Sequence, residues 1–295
     1  MKIILGYACL NTSIPLKMKT LRLATYLSMG DEYLKGLIVN NLLYLKSCLE
    51  WNAAQNIRFF RVSSDIVPLS THPEMTYPWW NDEEIKTLCD DIRGFSMKHG
   101  MRLSMHPGQY TLLNSPDEKV VERSVEDLRY HQVLGDMIGV REFITHVGGV
   151  YGDSREAMHR WAQVYKGLPT EIRSRLRLEN DDRNFTIQEV LFLSEKTGVP
   201  AVFDYHHHRI LPSMDAGDAL KQCFATWQGI DNPKIHLSSG KTGKTDRKHH
   251  DFILAEDYQA LLSLLQAVAG KENKQVYVML EAKLKEQAVM KILEV

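Results

Sequence analysis

A parallel (β/α)₈ barrel, the TIM-barrel fold of the α/β class, is what this sequence predicts. Three observations carry the prediction. Eight short apolar runs rich in β-branched residues recur along the chain, and each interval has room for a helix. The intervening stretches carry apolar residues at helical spacing, and start and stop signals for helices stand where the runs require them. A chain of 295 residues is long for an ordinary domain, but α/β barrels reach this size as one unit, so residues 1–295 are expected to form one domain.

The first strand is read at Ile3–Cys9. The surrounding MKIILGYACLNTS has the look of a weak signal peptide, yet Gly6-Tyr7 interrupts it and no small-residue cleavage site follows, so a buried strand is expected. The second and third strands are Ile57–Val62 and Met101–Met105, with Gly100 closing the helix between them. Ser115-Pro116-Asp117-Glu118 then has the form of a capping box with proline at the first helical position. Strands at Glu142–Val147 and Arg175–Leu178 follow. Thr186-Ile187-Gln188-Glu189 opens another capped helix and Gly198 closes it. The last three strands are Ala201–Phe203, Lys234–Leu237 and Val276–Leu280.

Composition narrows the function classes. Apolar residues make up 44% and charged residues 25%, ordinary for a soluble globular protein, and no run is long enough to span a membrane. Cys9, Cys48, Cys89 and Cys223 form no CxxC pair, which argues for reduced thiols and a cytoplasmic location. A net charge of −1 excludes binding of nucleic acid by bulk charge; a polyanion would have to meet a local basic patch or bound cations.

Chemistry in such a barrel sits at the C-terminal ends of the strands. Those ends read Tyr7, Arg61 and Ser63, His106, His146, Glu179, Asp204, His236 and Glu281. Six consecutive ends therefore carry His, Asp or Glu, although histidine is only 12 of 295 residues. One such histidine is ordinarily structural; a ring of them with carboxylates points to metal, because the mouth would otherwise be strongly anionic.

VFDYHHHRI (202–210) extends the set. Asp204 and His207 lie three apart at a strand-to-loop turn, so His207 takes the ligand role and His208 second place, while His206 has a weaker case. KTGKTDRKHHDFI (241–253) adds His249 and His250 as candidate ligands and Asp251 as a ligand or its supporting carboxylate. Its Lys241, Lys244, Arg247 and Lys248 would hold phosphates at the rim. Histidines and carboxylates without cysteine favour Zn²⁺, Mn²⁺ or Fe²⁺ over a thiolate zinc site. The ligands are too many for one ion, so two or three bridged by Glu179 are expected, activating a water as hydroxide for phosphodiester hydrolysis.

These residues resemble the UV damage endonuclease family and, more distantly, the AP endonucleases called endonuclease IV. RLSMHPGQY (102–110), THVGGVYG (145–152), LENDDR (178–183), VFDYHHH (202–208), PKIHLSS (233–239), HHDFI (249–253) and MLEAK (279–283) carry the resemblance, which spans nearly the whole chain. It implies a TIM barrel with two or three divalent ions, Mn²⁺ ahead of Zn²⁺, Mg²⁺ and Co²⁺. It further implies nicking of damaged double-stranded DNA immediately 5′ of cyclobutane pyrimidine dimers and 6-4 photoproducts, with abasic sites as further substrates. Such an enzyme is expected to act as a monomer.

The ligand set implied by the resemblance is His106, His146, Glu179, Asp204, His207, His236, His249 and Glu281. Gln109 and Tyr110, following His106-Pro107-Gly108, would probe the lesion, with Tyr7 and Asn11 lining the same pocket. His72 resembles a position near the scissile phosphate. Lys234, two residues before His236, is a further catalytic candidate; beside cations it would be neutral, phosphate-bound or carbamylated. Gly148-Gly149 would allow close approach of backbone to a phosphate or simply make a tight turn, and Trp79-Trp80 are assigned to packing. The competing functions are a metal-dependent barrel sugar isomerase or epimerase and a non-catalytic damage-binding protein. Neither accounts for the Gln-Tyr pair, the basic loop and an intact ligand set together.

Overall fold

In a computed structural model that describes residues 1–268 and 275–294, eight parallel strands pair in chain order and close into a barrel. They are β1 (Lys2–Ala8), β2 (Phe59–Val62), β3 (Arg102–Met105), β4 (Val140–His146), β5 (Leu176–Glu179), β6 (Ala201–Asp204), β7 (Lys234–Leu237) and β8 (Gln275–Leu280). Every expected strand is present, with ends shifted by a residue or two. The helices are α1 (Leu23–Ala54), α2 (Glu83–Lys98), α3 (Glu118–Ile138), α4 (Ser154–Gly167), α5 (Thr170–Arg173), α6 (Ile187–Thr197), α7 (Tyr205–Ile210), α8 (Ala216–Ala225), α9 (Ala255–Val268) and α10 (Lys285–Leu293).

The short strands are buried along their length because helices cover the outside and side chains fill the inside. Closure at β1 depends on Gly6, where a Cβ would stand 2.4 Å from the Phe59 carbonyl oxygen. The capping box at Thr186 and Glu189 forms in full, and Gly100 and Gly198 take left-handed φ values of +60° and +77°. The box expected at Ser115 does not form. Asp117 is the cap of α3 and accepts from the Lys119 amide, while Ser115 Oγ accepts from the Asp117 amide. The carboxylate nearer the helix is the better acceptor for its orphan N–H groups and suits its positive end.

The floor of the barrel, at the N-terminal ends of the strands, is closed by a buried ion pair. Arg102 donates from Nε and Nη2 to Glu142 at 3.0 Å and from Nη1 to the Asn232 carbonyl at 2.9 Å. Its guanidinium also lies 4.3 Å from the centre of the Tyr277 ring. Both side chains are almost wholly shielded from water. Removing one partner strands the other charge in the interior, so Glu142→Ala should cost about 3–5 kcal/mol. Urea unfolding checks this, and a loss below about 1 kcal/mol would mean that water reaches the arginine.

Candidate metal centre

Strand register brings the ligand candidates side by side at the opposite end. His146 pairs with Glu179 across β4 and β5, and Asp204 with His236 across β6 and β7. His106 and Glu281 are the first residues beyond β3 and β8. Glu179, 1% exposed, is the hub. Its Oε2 lies 3.1 Å from His106 Nε2 and 3.8 Å from His146 Nε2, and its Oε1 lies 2.6 Å from His236 Nδ1. Two groups of donors converge, His106–His146–Glu179 and Glu179–Asp204–His207, with the atoms of each within 4.8 Å of one another and Glu179 common to both.

The polar atoms left over fit divalent cations. His106 directs Nδ1 at the Pro107 carbonyl (2.9 Å) and Nε2 at the Glu179 carboxylate, so its single neutral-state proton cannot serve both oxygens. With the proton on Nδ1 and given to the Pro107 carbonyl, Nε2 keeps a lone pair that a cation can take. His207 likewise directs Nδ1 at the Asn180 carbonyl, 2.9 Å away, leaving the Nε2 lone pair available. Asp204 Oδ2 is buried without a partner, a costly condition that coordination would relieve.

Electrostatics point the same way. Burial pushes the Asp204 carboxyl up to about 7. Burial alone would lower the His207 imidazole, but the Asp204 and Glu179 carboxylates hold it up to about 9. Burial opposes ionisation of Glu179 too, yet the surrounding imidazoles keep its carboxyl well below the usual range. A metal ion requires neutral His207 and ionised Asp204. Between pH 7 and 9 binding must displace the His207 proton, and below pH 7 a second proton from Asp204. Affinity for Mn²⁺ should therefore rise about tenfold per pH unit from 7 to 9, more steeply below, and level off above 9. Calorimetry at pH 8 in two buffers of different ionisation enthalpy should show about one proton released; no release would remove His207 from the binding group.

The remaining candidates fall into three sets. Glu281 and His236 adjoin the centre: Glu281 Oε1 lies 3.4 Å from His236 Nδ1 and accepts from Arg61 Nη1 at 2.5 Å. His249, half-buried on the loop after β7, lies with its ring centre 5.9 Å from that of His206. His208 is buried and turned to Phe203, His250 accepts from the Phe252 amide through Nδ1, and Asp251 is exposed; none joins either donor group.

Gln109 and Tyr110 are exposed at the tip of the β3–α3 loop, Tyr110 at 81%. The loop beneath them is fixed. The Thr111 amide closes a turn on the Gly108 carbonyl, Thr111 Oγ1 donates to Asp127 at 2.5 Å, and the Leu112 amide donates to Ser124 Oγ. His72 faces the same loop across a cavity of about 760 Å³ that Tyr110 and Gly108 also line.

Tyr7 and Asn11 are not on the pocket surface. Tyr7 is fully buried, donating to Asn52 Oδ1 of α1 at 2.7 Å and accepting from Asn11 Nδ2 at 2.8 Å, while Tyr44 Oη holds the Asn11 amide. An unpaired phenol or amide at that depth is costly, and α1 supplies the partners that draw both inward. Lys234 is also wholly buried, donating to Ser104 Oγ at 2.9 Å, and burial lowers its ammonium to about 7. It lies inside the barrel, shielded from water, where burial favours the neutral amine.

At Gly148, with φ of +120°, a Cβ would meet Asn114 Oδ1 at 2.3 Å, and the Gly148 and Gly149 carbonyls accept from Asn184 and Asn114. The pair makes a packed turn. Trp79 is buried as assigned, Trp80 is 45% exposed, and the four cysteines are free thiols. Asn180 had no role assigned from sequence, yet it clamps Asp204 through both backbone groups at 2.9 and 3.0 Å and holds His207. Its position directly after Glu179 was the available signal.

The family profile described as UV-endonuclease UvdE matches residues 3–295. A UV DNA damage endonuclease of Bacillus pumilus is 38% identical over 287 residues, covering 94% of this chain and 88% of the relative. The crystal structure of SacUVDE superposes with a TM-score of 0.88 at 35% identity, covering 99% of each chain. Endonuclease IV from Thermus thermophilus shares the fold, with a TM-score of 0.62 at 15% identity over 99% of this chain and 97% of its own.

Proposed function

Since this chain belongs to the UV-endonuclease UvdE family, we infer that it nicks the DNA backbone immediately 5′ of UV photoproducts. The observation that carries the mechanism is Glu179, a buried carboxylate common to two groups of metal donors. His106, His146 and Glu179 would hold one ion, and Glu179, Asp204 and His207 a second. His236, His249 and Glu281 would complete the coordination, with room for a third. Bound divalent ions, Mn²⁺ foremost, would supply an activated water and neutralise charge on the phosphate oxygens. The water oxygen would bond to phosphorus as the P–O3′ bond breaks, with the proton lost by the water made up on the leaving O3′, so that a 3′-hydroxyl and a 5′-phosphate stand beside the lesion.

The chain's own groups set this up. The Asn180 carbonyl orients the His207 ring through Nδ1, Asp204 accepts from the His207 backbone amide, and Arg61 holds Glu281. Exposed Lys241, Lys244, Arg247 and Lys248 offer the basic patch that a chain of net charge −1 needs to engage a phosphate backbone. Gln109 and Tyr110 stand ready to enter a stack that damage has already weakened. No described helix is long and apolar enough to cross a membrane, and we expect the enzyme to act as a monomer of one domain.

Nicking of supercoiled plasmid tests this reading, with irradiated and unirradiated DNA in parallel, each with Mn²⁺ and with EDTA. Metal-dependent nicking confined to the irradiated plasmid is expected. Equal nicking of both would retain the phosphodiesterase and remove lesion recognition. No nicking of either would overturn the assignment.

A further inference from the structure

Of three consecutive histidines only His207 belongs to a donor group, and His206 is buried facing elsewhere. Arg209 reaches it from one turn along α7. Arginine has only donors, so the Nη2 contact to His206 Nδ1 at 2.9 Å fixes Nδ1 as the acceptor. The imidazole proton is then on Nε2, which donates to the Asp246 carbonyl at 2.9 Å. Arg209 is itself anchored, by Nη2 to the Ser238 carbonyl at 3.1 Å and by Nη1 to Asp257. Asp257 in turn accepts from Ser239 Oγ at 2.5 Å, which accepts from the Leu254 amide. A continuous chain of contacts thus runs from α9 through Arg209 and His206 to the tip of the basic loop.

The loop is organised around the residue that His206 grips. Asp246 accepts through its carboxylate from the Thr242 amide and hydroxyl and from the Lys248 amide. Its own amide donates to the Gly243 carbonyl, and the Lys241 amide to the Lys248 carbonyl. Gly240, bridged to His249, is packed so closely that a Cβ would lie 1.9 Å from the Gly243 carbonyl oxygen. Lys241, Lys244, Arg247 and Lys248 are exposed on this frame, and Arg247 is tied to Asp182 through an ion pair at 3.1 Å and a bond to its carbonyl at 3.0 Å.

We propose that His206 and Arg209 are positioning residues that hold the 241–249 loop in place, so that its cations meet the DNA backbone and His249 faces the metal centre. The functional half of this proposal rests on the endonuclease reading; the structural half does not. His206→Phe keeps the ring volume and removes both hydrogen bonds. His206→Gln retains an acceptor for Arg209 and a donor for Asp246. His206→Leu serves in place of the Phe variant should that one not fold.

Two measurements are needed. The first is tryptic cleavage at residues 241–248 in the DNA-free enzyme, with thermal unfolding as the control for global stability. The second is KM and kcat on irradiated duplex with Mn²⁺ as a function of salt. His206→Phe should be cut at least about tenfold faster in this loop, in the regime where cleavage follows loop opening. Its KM should rise and the salt dependence of KM become shallower, by about one unit of logarithmic slope for each phosphate that the loop no longer engages. His206→Gln should recover part of each change. Unchanged loop cleavage in the Phe variant would overturn the brace. Faster cleavage with KM and its salt slope unchanged would overturn the role in DNA binding. Absence of nicking by the wild-type enzyme would instead sink the endonuclease reading, and the cleavage comparison would still decide the brace.

Discussion

Glu179→Gln is expected to abolish incision of irradiated DNA, lowering kcat by about 10³-fold or more, and to weaken Mn²⁺ binding. The substitution preserves shape, so the effect is chemical. Glu179 offers one oxygen towards His106 and His146 and the other towards His236, and both donor groups depend on it. An amide keeps one weakly basic oxygen, carries no charge and presents hydrogens where a second lone pair is needed. Two ions would then share a site without the anion that offsets their repulsion. A Lewis-acid contribution of about 4 kcal/mol corresponds to about 10³ in rate. The measurement is single-turnover incision with a Mn²⁺ titration by calorimetry and a melting curve. Retained ion stoichiometry and a kcat within tenfold of wild type would show that Glu179 is not the bridge.

The barrel was legible because its signals are local. Each strand is a short β-branched run and each helix between carries its own spacing, as at Thr186 to Gly198, where cap, capping box and terminal glycine appear together. The ring of donors was legible for the same reason: in a parallel barrel a strand's last residue has one possible address, so His146, Glu179 and Asp204 could be placed from strand ends alone. Boundaries were less secure where two acceptors compete, as with Ser115 and Asp117.

What stayed hidden were side chains whose roles depend on a distant partner. Tyr7 lies at a strand end, but Asn52, 45 residues away on α1, decides that its hydroxyl points inward. His206 and His208 stand beside His207 with the same chemistry, and only helical geometry separates them. The first turn of α7 sends one ring to the donor cluster, one to the Asp246 carbonyl and one against Phe203. Arg61 was visible as a strand end without a role, since its partner Glu281 lies 220 residues away. Lys234 shows the limit of strand spacing: its alternation with His236 turns it inward, but spacing does not tell how deep in the barrel the ammonium ends.

The double change Gln109→Ala and Tyr110→Ala should leave metal binding and the melting temperature unaltered while lowering kcat/KM on irradiated duplex by about 10²-fold. Both side chains are exposed, so their removal costs the fold little. A ring as exposed as that of Tyr110 has no packing role, whereas the turn beneath it is pinned to α3 through Thr111 and Leu112. Stacking of one base on an aromatic ring contributes about 1–3 kcal/mol, and with the Gln109 amide the pair would supply about 2.7 kcal/mol, which is 10² in rate. The specificity of the effect separates a wedge from a general DNA contact. Tyr110→Trp should retain most activity because the stacking face survives. On a duplex with an abasic site, where the base to be unstacked is missing, the double variant should lose clearly less than on a photoproduct, since damage that has already opened the stack leaves less for the wedge to do. Equal losses on both substrates would instead assign the pair to backbone gripping. An irradiated plasmid nicked at the wild-type rate by the double variant would place lesion recognition elsewhere on the mouth, with the His72 cavity as the next place to probe.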